Sequence, residues 1–144
     1  MTHTKVLFLC TGNSARSQMA EALLRKYAGD RFEAYSAGLE PGAVNPYTIE
    51  VLEEIGVDTS QHYSKPLTTY LGKVHFGYLI TVCGNAEKNC PVFPGMGIRQ
   101  HWPLEDPAAF QGTREETLAK FREIRDQIDE RVRDWLDQQG VLVQ

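Results

Sequence analysis

Apolar residues recur along this chain in two rhythms. A continuous apolar run marks a strand at residues 5–9, another at 76–82 is interrupted only by Gly77 and Thr81, and 32–37 and 98–102 are further strand candidates, while other stretches carry an apolar residue every three or four positions. Continuous runs of that length suit strands covered on both faces, as in a parallel sheet, and Gly38 breaks the 32–37 candidate. The first helical stretch is 17–28, striped by Met19, Ala20, Leu23, Leu24 and Tyr27 and ended by Gly29 and Asp30 in the manner of a C-terminal glycine. Asn45 reads as an N-cap with Pro46 in the first turn. Ile49, Leu52 and Ile55 then form the buried face of a second helix that Gly56 stops.

The clearest helix is 113–138. Thr113 and Glu116 form a capping box, and Leu118, Phe121, Ile124, Ile128, Val132 and Trp135 recur at three- and four-residue steps. Arg114, Arg125 and Arg131 are expected to face water. Residues 58–66 are polar and irregular, and 68–71 predicts a further short helix. Residues 84–97 mix glycine, proline and asparagine without periodicity, which predicts a long loop of the functional or mobile kind.

Strand, turn, helix, strand is a βαβ unit, which implies a parallel sheet with a right-handed crossover. The expected architecture is a three-layer α/β sandwich, a central four-stranded parallel sheet flanked by helices, in one domain over 1–144. Ligands of such open sheets sit at the carboxyl ends of strands. Two cysteines, Cys10 and Cys83, follow strands directly.

Cys10 opens the stretch Cys10-Thr11-Gly12-Asn13-Ser14-Ala15-Arg16-Ser17 between the first strand and the first helix. N–H groups of so tight a turn point inward, and the helix N-terminus adds partial positive charge, making a cradle for a tetrahedral oxyanion from Thr11 to Arg16. Those dipoles, Arg16 and the Ser17 hydroxyl would hold Cys10 as thiolate, the nucleophilic form. Arg16 supplies a planar fork able to grip two oxygens at once. A lone cysteine at a strand end is ordinarily a small core residue; the joint pattern Cys-x5-Arg-Ser with strand before and helix after favours a nucleophile.

Composition narrows the field. The chain has 144 residues, 42% hydrophobic and 24% charged, with net charge −4, a soluble globular profile that argues against nucleic acid as partner. No apolar stretch approaches the ~20 residues of a membrane span and no signal peptide is evident, so the expected compartment is the cytoplasm, with no membrane partner. Three cysteines are an odd number in a reducing setting, which leaves metal, catalysis or redox exchange as their roles. For Cys83 and Cys90 three readings compete: buried apolar thiols, a zinc site, or a redox relay with Cys10. The neighbours of Cys90 (Lys88, Asn89, Pro91) make a poor core, and His3, His62, His75 and His101 show no ligand spacing. The relay is favoured. Attack by Cys10 at a tetrahedral centre also requires a proton for the departing oxygen, and Asp106, followed by Pro107, is the preferred donor ahead of Glu105.

These residues resemble a known family. The matching features are Leu7-Phe-Leu-Cys10-Thr-Gly-Asn-Ser-Ala-Arg16-Ser17-Gln-Met-Ala-Glu21, then Ser36-Ala-Gly38, Thr81-Val-Cys83, Cys90-Pro91, Trp102-Pro103 and Asp106-Pro107. From about residue 5 to 136 the chain is similar to the arsenate reductases built on the low-molecular-weight protein tyrosine phosphatase fold and recycled by thioredoxin. The resemblance implies that Cys10 attacks arsenate held by the loop amides and Arg16, and that Asp106 protonates the leaving oxygen. It implies further that Cys83 attacks Cys10 with release of arsenite, and that Cys90 then attacks Cys83 and leaves a Cys83–Cys90 disulfide for thioredoxin. No bound cofactor is implied; thioredoxin is the external reductant, although related enzymes use glutaredoxin or mycothiol. Phosphate and sulfate are the expected competing anions, and a monomer is expected. Some members of the family bind potassium through the equivalents of Asn13, Glu21 and Ser36 with an aspartate that falls at Lys65 here. Two readings of this lysine compete: its ammonium stands in for the ion, or it is a solvated loop lysine; the first is favoured and leads to an expectation of potassium independence. The competing readings are a phosphate monoester hydrolase, which needs neither Cys83 nor Cys90, and a non-catalytic phosphocarrier or anion sensor.

Overall fold

The computed structural model describes residues 3–90 and 96–141. Strands β1 (Thr4–Cys10), β2 (Phe32–Gly38), β3 (Phe76–Thr81) and β4 (Met96–His101) form one four-stranded parallel sheet in the order β2-β1-β3-β4. The helices are α1 (Arg16–Ala28), α2 (Pro46–Glu53), α3 (Gly84–Asn89) and α4 (Arg114–Gln138). The unbroken apolar run of β1 lies where such a run must, in the middle of the sheet, with Val6, Leu7, Phe8 and Leu9 fully buried. Register sets Cys10 beside Gly38, Leu9 beside Thr81, and Thr81 beside His101. The carboxyl ends of the strands therefore meet along one edge of the sheet, with Cys83 just beyond β3.

Alternation along the strands sends neighbouring side chains to opposite faces. On one face Ser36 bonds Glu21 of α1, while Phe32 and Tyr78 pack on Trp135 of α4 at ring separations of 5.0 and 5.1 Å. On the other, Tyr35 packs edge-on against Tyr70, beside a 3₁₀ turn at Leu67–Thr69, and Thr81 meets α3. These are the expected three layers. No helix among the described residues is long and apolar enough to cross a membrane.

The long helix matches its sequence pattern closely: the capping box of Thr113 and Glu116 is formed, and every residue of the stripe is buried. Five local expectations need correction. Gly29 ends α1 with φ −63°, in the right-handed region; its value is space, since a Cβ there would stand 2.6 Å from the Arg25 carbonyl. In α2 the buried residues are Thr48, Val51 and Leu52, while Ile49 and Ile55 are half-buried, because α2 lies against α4 as well as the loop below it. Arg125 does not face water: its guanidinium reaches the Val51 carbonyl at 2.9 Å and Glu54 at 2.8 Å, tying α4 to α2. Residues 84–89 are helix rather than loop, and the 68–71 helix is a 3₁₀ turn one residue earlier. Residues 91–95 of the expected loop lie outside the described residues.

Candidate active site

The turn after β1 is built so that its peptide N–H edges face one way. The carbonyls of Cys10, Thr11, Gly12 and Ser14 accept N–H groups from Leu39, Glu40, Gly42 and Asn45. Asn13 O accepts from Gln18 Nε2 at 3.0 Å and from Ser64 Oγ at 2.7 Å. Because each peptide is planar and trans, engaging the carbonyls on the outer side turns the intervening N–H groups toward Cys10. Asn13 adopts φ +51°, a left-handed conformation that asparagine tolerates. Gly38 lets the loop lie this close: a Cβ there would stand 2.5 Å from Thr11 O and 3.0 Å from Asn13 N.

Donors converge on the sulfur. Asn13 N–H donates to Cys10 Sγ at 3.1 Å, and Ser17 Oγ lies 2.8 Å from it. Asn13 Nδ2 donates to the same Ser17 oxygen at 2.8 Å, which leaves the hydroxyl hydrogen of Ser17 free to point at the sulfur. Such an environment suits an electron-rich sulfur. It opens on a cleft of about 450 Å³ lined by Cys10, Thr11, Gly12, Ser14, Ala15, Arg16, Asn85, Asp106 and Ala108. Two wider depressions, of about 690 Å³ between β4 and α4 and about 560 Å³ around Tyr35 and Tyr63, are lined by no cysteine. Chemistry, not size, selects the cleft above Cys10.

Arg16 starts α1 and is fixed by donation to Leu104 O at 3.0 Å, with its other terminal nitrogen 3.8 Å from Asp106 Oδ2. Asp106 caps the 3₁₀ turn Pro107–Ala109, accepting Ala108 N–H on Oδ1 at 2.9 Å and leaving Oδ2 toward Arg16 and the cleft. Glu105, the less favoured acid, is turned away onto Lys120. Asn13, expected among the oxyanion-binding residues, does not line the cleft: it is fully buried behind it, its N–H already engaged by the sulfur.

Thr11 joins two of the three thiols. Its hydroxyl lies 3.4 Å from Cys83 Sγ and accepts from Asn85 Nδ2 at 2.8 Å, which leaves its own hydrogen for the sulfur. Cys83 is also the N-cap of α3, accepting Ala86 N–H at 3.4 Å. Cys90 is the C-cap of the same helix, and burial pushes its thiol up from the ordinary value, with Arg99 acting the other way. All three cysteines are buried. Among the described residues no cluster of histidines, cysteines and carboxylates is suited to a metal.

Behind the loop, Lys65 is nearly buried, with its ammonium 3.0 Å from Tyr63 O, 3.4 Å from Ser36 Oγ, 3.5 Å from Asn13 Oδ1 and 3.9 Å from Glu21 Oε1. It also lies 4.6 Å from the centroid of the Tyr63 ring. Burial lowers its pKa from the usual lysine value and Glu21 opposes that shift. The Lys65 ammonium thus stands among the oxygens of Asn13, Glu21 and Ser36.

The composition of the cleft was legible in the spacing of 10–17 and in Asp106; the parts not foreseen were Asn85, Gln18, His62 and α3 itself. Gln18 donates to the Asn13 and Tyr63 carbonyls and accepts from His62 Nδ1 at 2.8 Å, so the ring carries its proton on that nitrogen. A glutamine one position after Ser17 and a lone histidine in a polar stretch give no pattern to read. For α3 the available signal was the acid Glu87 in its first turn.

Residues 5–141 match the family described as low molecular weight phosphotyrosine protein phosphatase. The arsenate reductase of Halalkalibacterium halodurans is 43% identical over 133 residues, covering 92% of this chain and 95% of that one. A solved arsenate reductase in its phosphate-binding state superposes with a TM-score of 0.75 at 33% identity, covering 94% of this chain and 98% of the other. The thioredoxin-dependent arsenate reductase of Corynebacterium glutamicum superposes with a TM-score of 0.70 at 34% identity, covering 94% of this chain and 61% of its own. The chain belongs to the low molecular weight phosphotyrosine protein phosphatase family. Within that family it groups with the arsenate reductases.

Proposed function

We propose that this protein reduces arsenate to arsenite at Cys10 and passes the resulting oxidation along Cys83 and Cys90 to an external dithiol. The observation that carries the reading is Thr11: one hydroxyl lies in the anion cleft over Cys10 and reaches Cys83 Sγ at 3.4 Å. A phosphatase has no use for that second sulfur.

The chemistry balances without a cofactor. The Cys10 thiolate attacks arsenic in an arsenate held by the loop N–H groups and the Arg16 fork; Asp106 gives its proton to the departing oxygen and water leaves. Cys83 then attacks Cys10 Sγ. The S–As bond breaks with its electron pair on arsenic, which leaves as arsenite, and a Cys10–Cys83 disulfide remains. Cys90 attacks Cys83 Sγ, Cys10 departs as thiolate, and a Cys83–Cys90 disulfide is left for reduction. Thioredoxin is the dithiol this reading assigns, as the Corynebacterium glutamicum relative is thioredoxin-dependent. Phosphate and sulfate, sharing the tetrahedral shape, compete for the cleft. Lys65 serves as a built-in cation behind the loop, and the enzyme runs without potassium.

A second reading has its own support. Cys10, Arg16 and Asp106 complete a phosphate-ester site without the other thiols, so slow hydrolysis of an aryl phosphate is expected of the same cleft. Cys83→Ser separates the two: multiple-turnover arsenate reduction is lost while aryl phosphate hydrolysis persists. Unchanged arsenate turnover in that variant sinks the relay.

A further inference from the structure

The Cys83–Cys90 pairing has a geometric obstacle. The two residues cap opposite ends of α3, seven positions apart, which at ~1.5 Å per residue places them about 10 Å apart along the axis. Disulfide formation requires Cα atoms within ~7 Å. The helix must therefore unwind before Cys90 can reach Cys83. A six-residue helix does not persist on its own propensity, since isolated helices below ~12–15 residues are marginal. Its one buried interior residue is Ala86. Something outside the helix holds it wound.

Glu87 is in that position. Its Oε2 accepts the Thr81 hydroxyl from β3, and its Oε1 lies 3.3 Å from Arg99 Nη2 on β4. The same guanidinium nitrogen donates to the Glu87 carbonyl at 2.5 Å. His101 Nδ1, also on β4, stands 3.4 Å from Oε2 and 2.9 Å from the Thr81 oxygen. Two rigid strands thus grip one residue of α3 by side chain and backbone together. The attachments on the reacting side, Asn85 to Thr11 and Ala86 N–H to Cys83 Sγ, involve groups that shift when Cys83 turns toward Cys10.

We propose that Glu87 is a clasp: held by Thr81, Arg99 and His101, it keeps α3 wound until Cys83 has been oxidised, and so sets the poise and timing of the second exchange. It is a positioning residue, acting through the helix that separates the two sulfurs. The inference rests on the relay reading above. While the clasp is closed Cys90 stays buried and its thiol is held protonated by that burial; opening removes both restraints at once.

The test uses the full chain with Cys10→Ser, so that Cys83 and Cys90 can pair only with each other. The protein is equilibrated with mixtures of reduced and oxidised dithiothreitol, quenched with an alkylating agent and mapped by mass. In this exchange the two thiols give two electrons and two protons to oxidised dithiothreitol and form one S–S bond. Adding Glu87→Gln is expected to shift the equilibrium toward the Cys83–Cys90 disulfide by about tenfold, or ~30 mV for a two-electron couple. Arg99→Met is expected to move it the same way, and hydrogen exchange at the amides of 86–89 should quicken in the reduced protein. A loss of global stability common to both redox states leaves this ratio unmoved, so the readout is specific to the helix. An unshifted equilibrium in both variants overturns the clasp. Absence of any Cys83–Cys90 disulfide, at every poise and in every variant including Cys10→Ser alone, overturns the relay instead.

Discussion

Ser17 and Asn13 divide the work around one sulfur. Asn13 gives its N–H to Cys10 and its amide to Ser17, which frees the serine hydrogen for the same sulfur. Neither lines the cleft above the sulfur; Arg16 and Asp106 do. Asp106→Asn keeps the cap on Ala108 but removes the transferable proton, and the first chemical step should slow by ~10²–10⁴-fold, read as the single-turnover rate of arsenite release. An unchanged rate clears Asp106 of the role. Gly38→Ala places a methyl 2.5 Å from Thr11 O; overpacking of this kind costs about 1–3 kcal/mol, and urea denaturation together with phosphate inhibition should show stability and anion affinity falling together. At this scale Cys10, Arg16, Ser17 and Asp106 could be read from residue type and spacing. Asn13, expected both in the cradle and beside Lys65, lies buried with its N–H on the sulfur and its side-chain oxygen on the Lys65 N–H; spacing alone does not tell which side of the turn it faces.

At the scale of elements, legibility followed the strength of the periodic signal. The long α4 carries its whole stripe and cap in sequence, and β1 and β3 stand out by their apolar runs, whereas β2 and β4 mix polar and apolar residues. Helix α3 was invisible because what holds it is an acid gripped from two strands rather than an apolar face. The segment 58–66, correctly expected to be irregular, is a strap: Pro66 bridges Gly38, Ser64 and Lys65 bond Asn13, and His62 bonds Gln18. Burial lowers the pKa of His62 below its usual value of 6.5. The fold therefore favours the neutral ring, and between the lowered value and 6.5 the unfolded chain holds more protons than the folded one. Stability then rises with pH through that window and is penalised most below it. His62→Asn should flatten this acid-side slope in urea midpoints taken from pH 5 to 7.5; an identical slope in the variant removes His62 as its source.

Across the whole molecule the nucleophile loop is supported from three directions by one ammonium. Lys65 reaches Asn13 of the loop, Ser36 of β2 and Glu21 of α1, so a single cation fastens the turn to the sheet on one side and the helix on the other. A covalently attached charge cannot dissociate, and its occupancy does not depend on the ionic composition of the solution. Catalytic efficiency should accordingly be the same in matched sodium and potassium buffers, and a severalfold difference contradicts the assignment. Lys65→Met removes the charge and leaves Asn13 Oδ1 and the Tyr63 carbonyl without that donor, which should cost about 1–3 kcal/mol with no recovery in potassium. Lys65→Asp replaces the donor by an oxygen beside Asn13, Glu21 and Ser36, a set that favours a bound cation, so its thermal midpoint should climb with potassium concentration where that of the parent protein does not. If both variants respond to potassium alike, the pocket binds an ion irrespective of residue 65 and the built-in cation is not what steadies the loop.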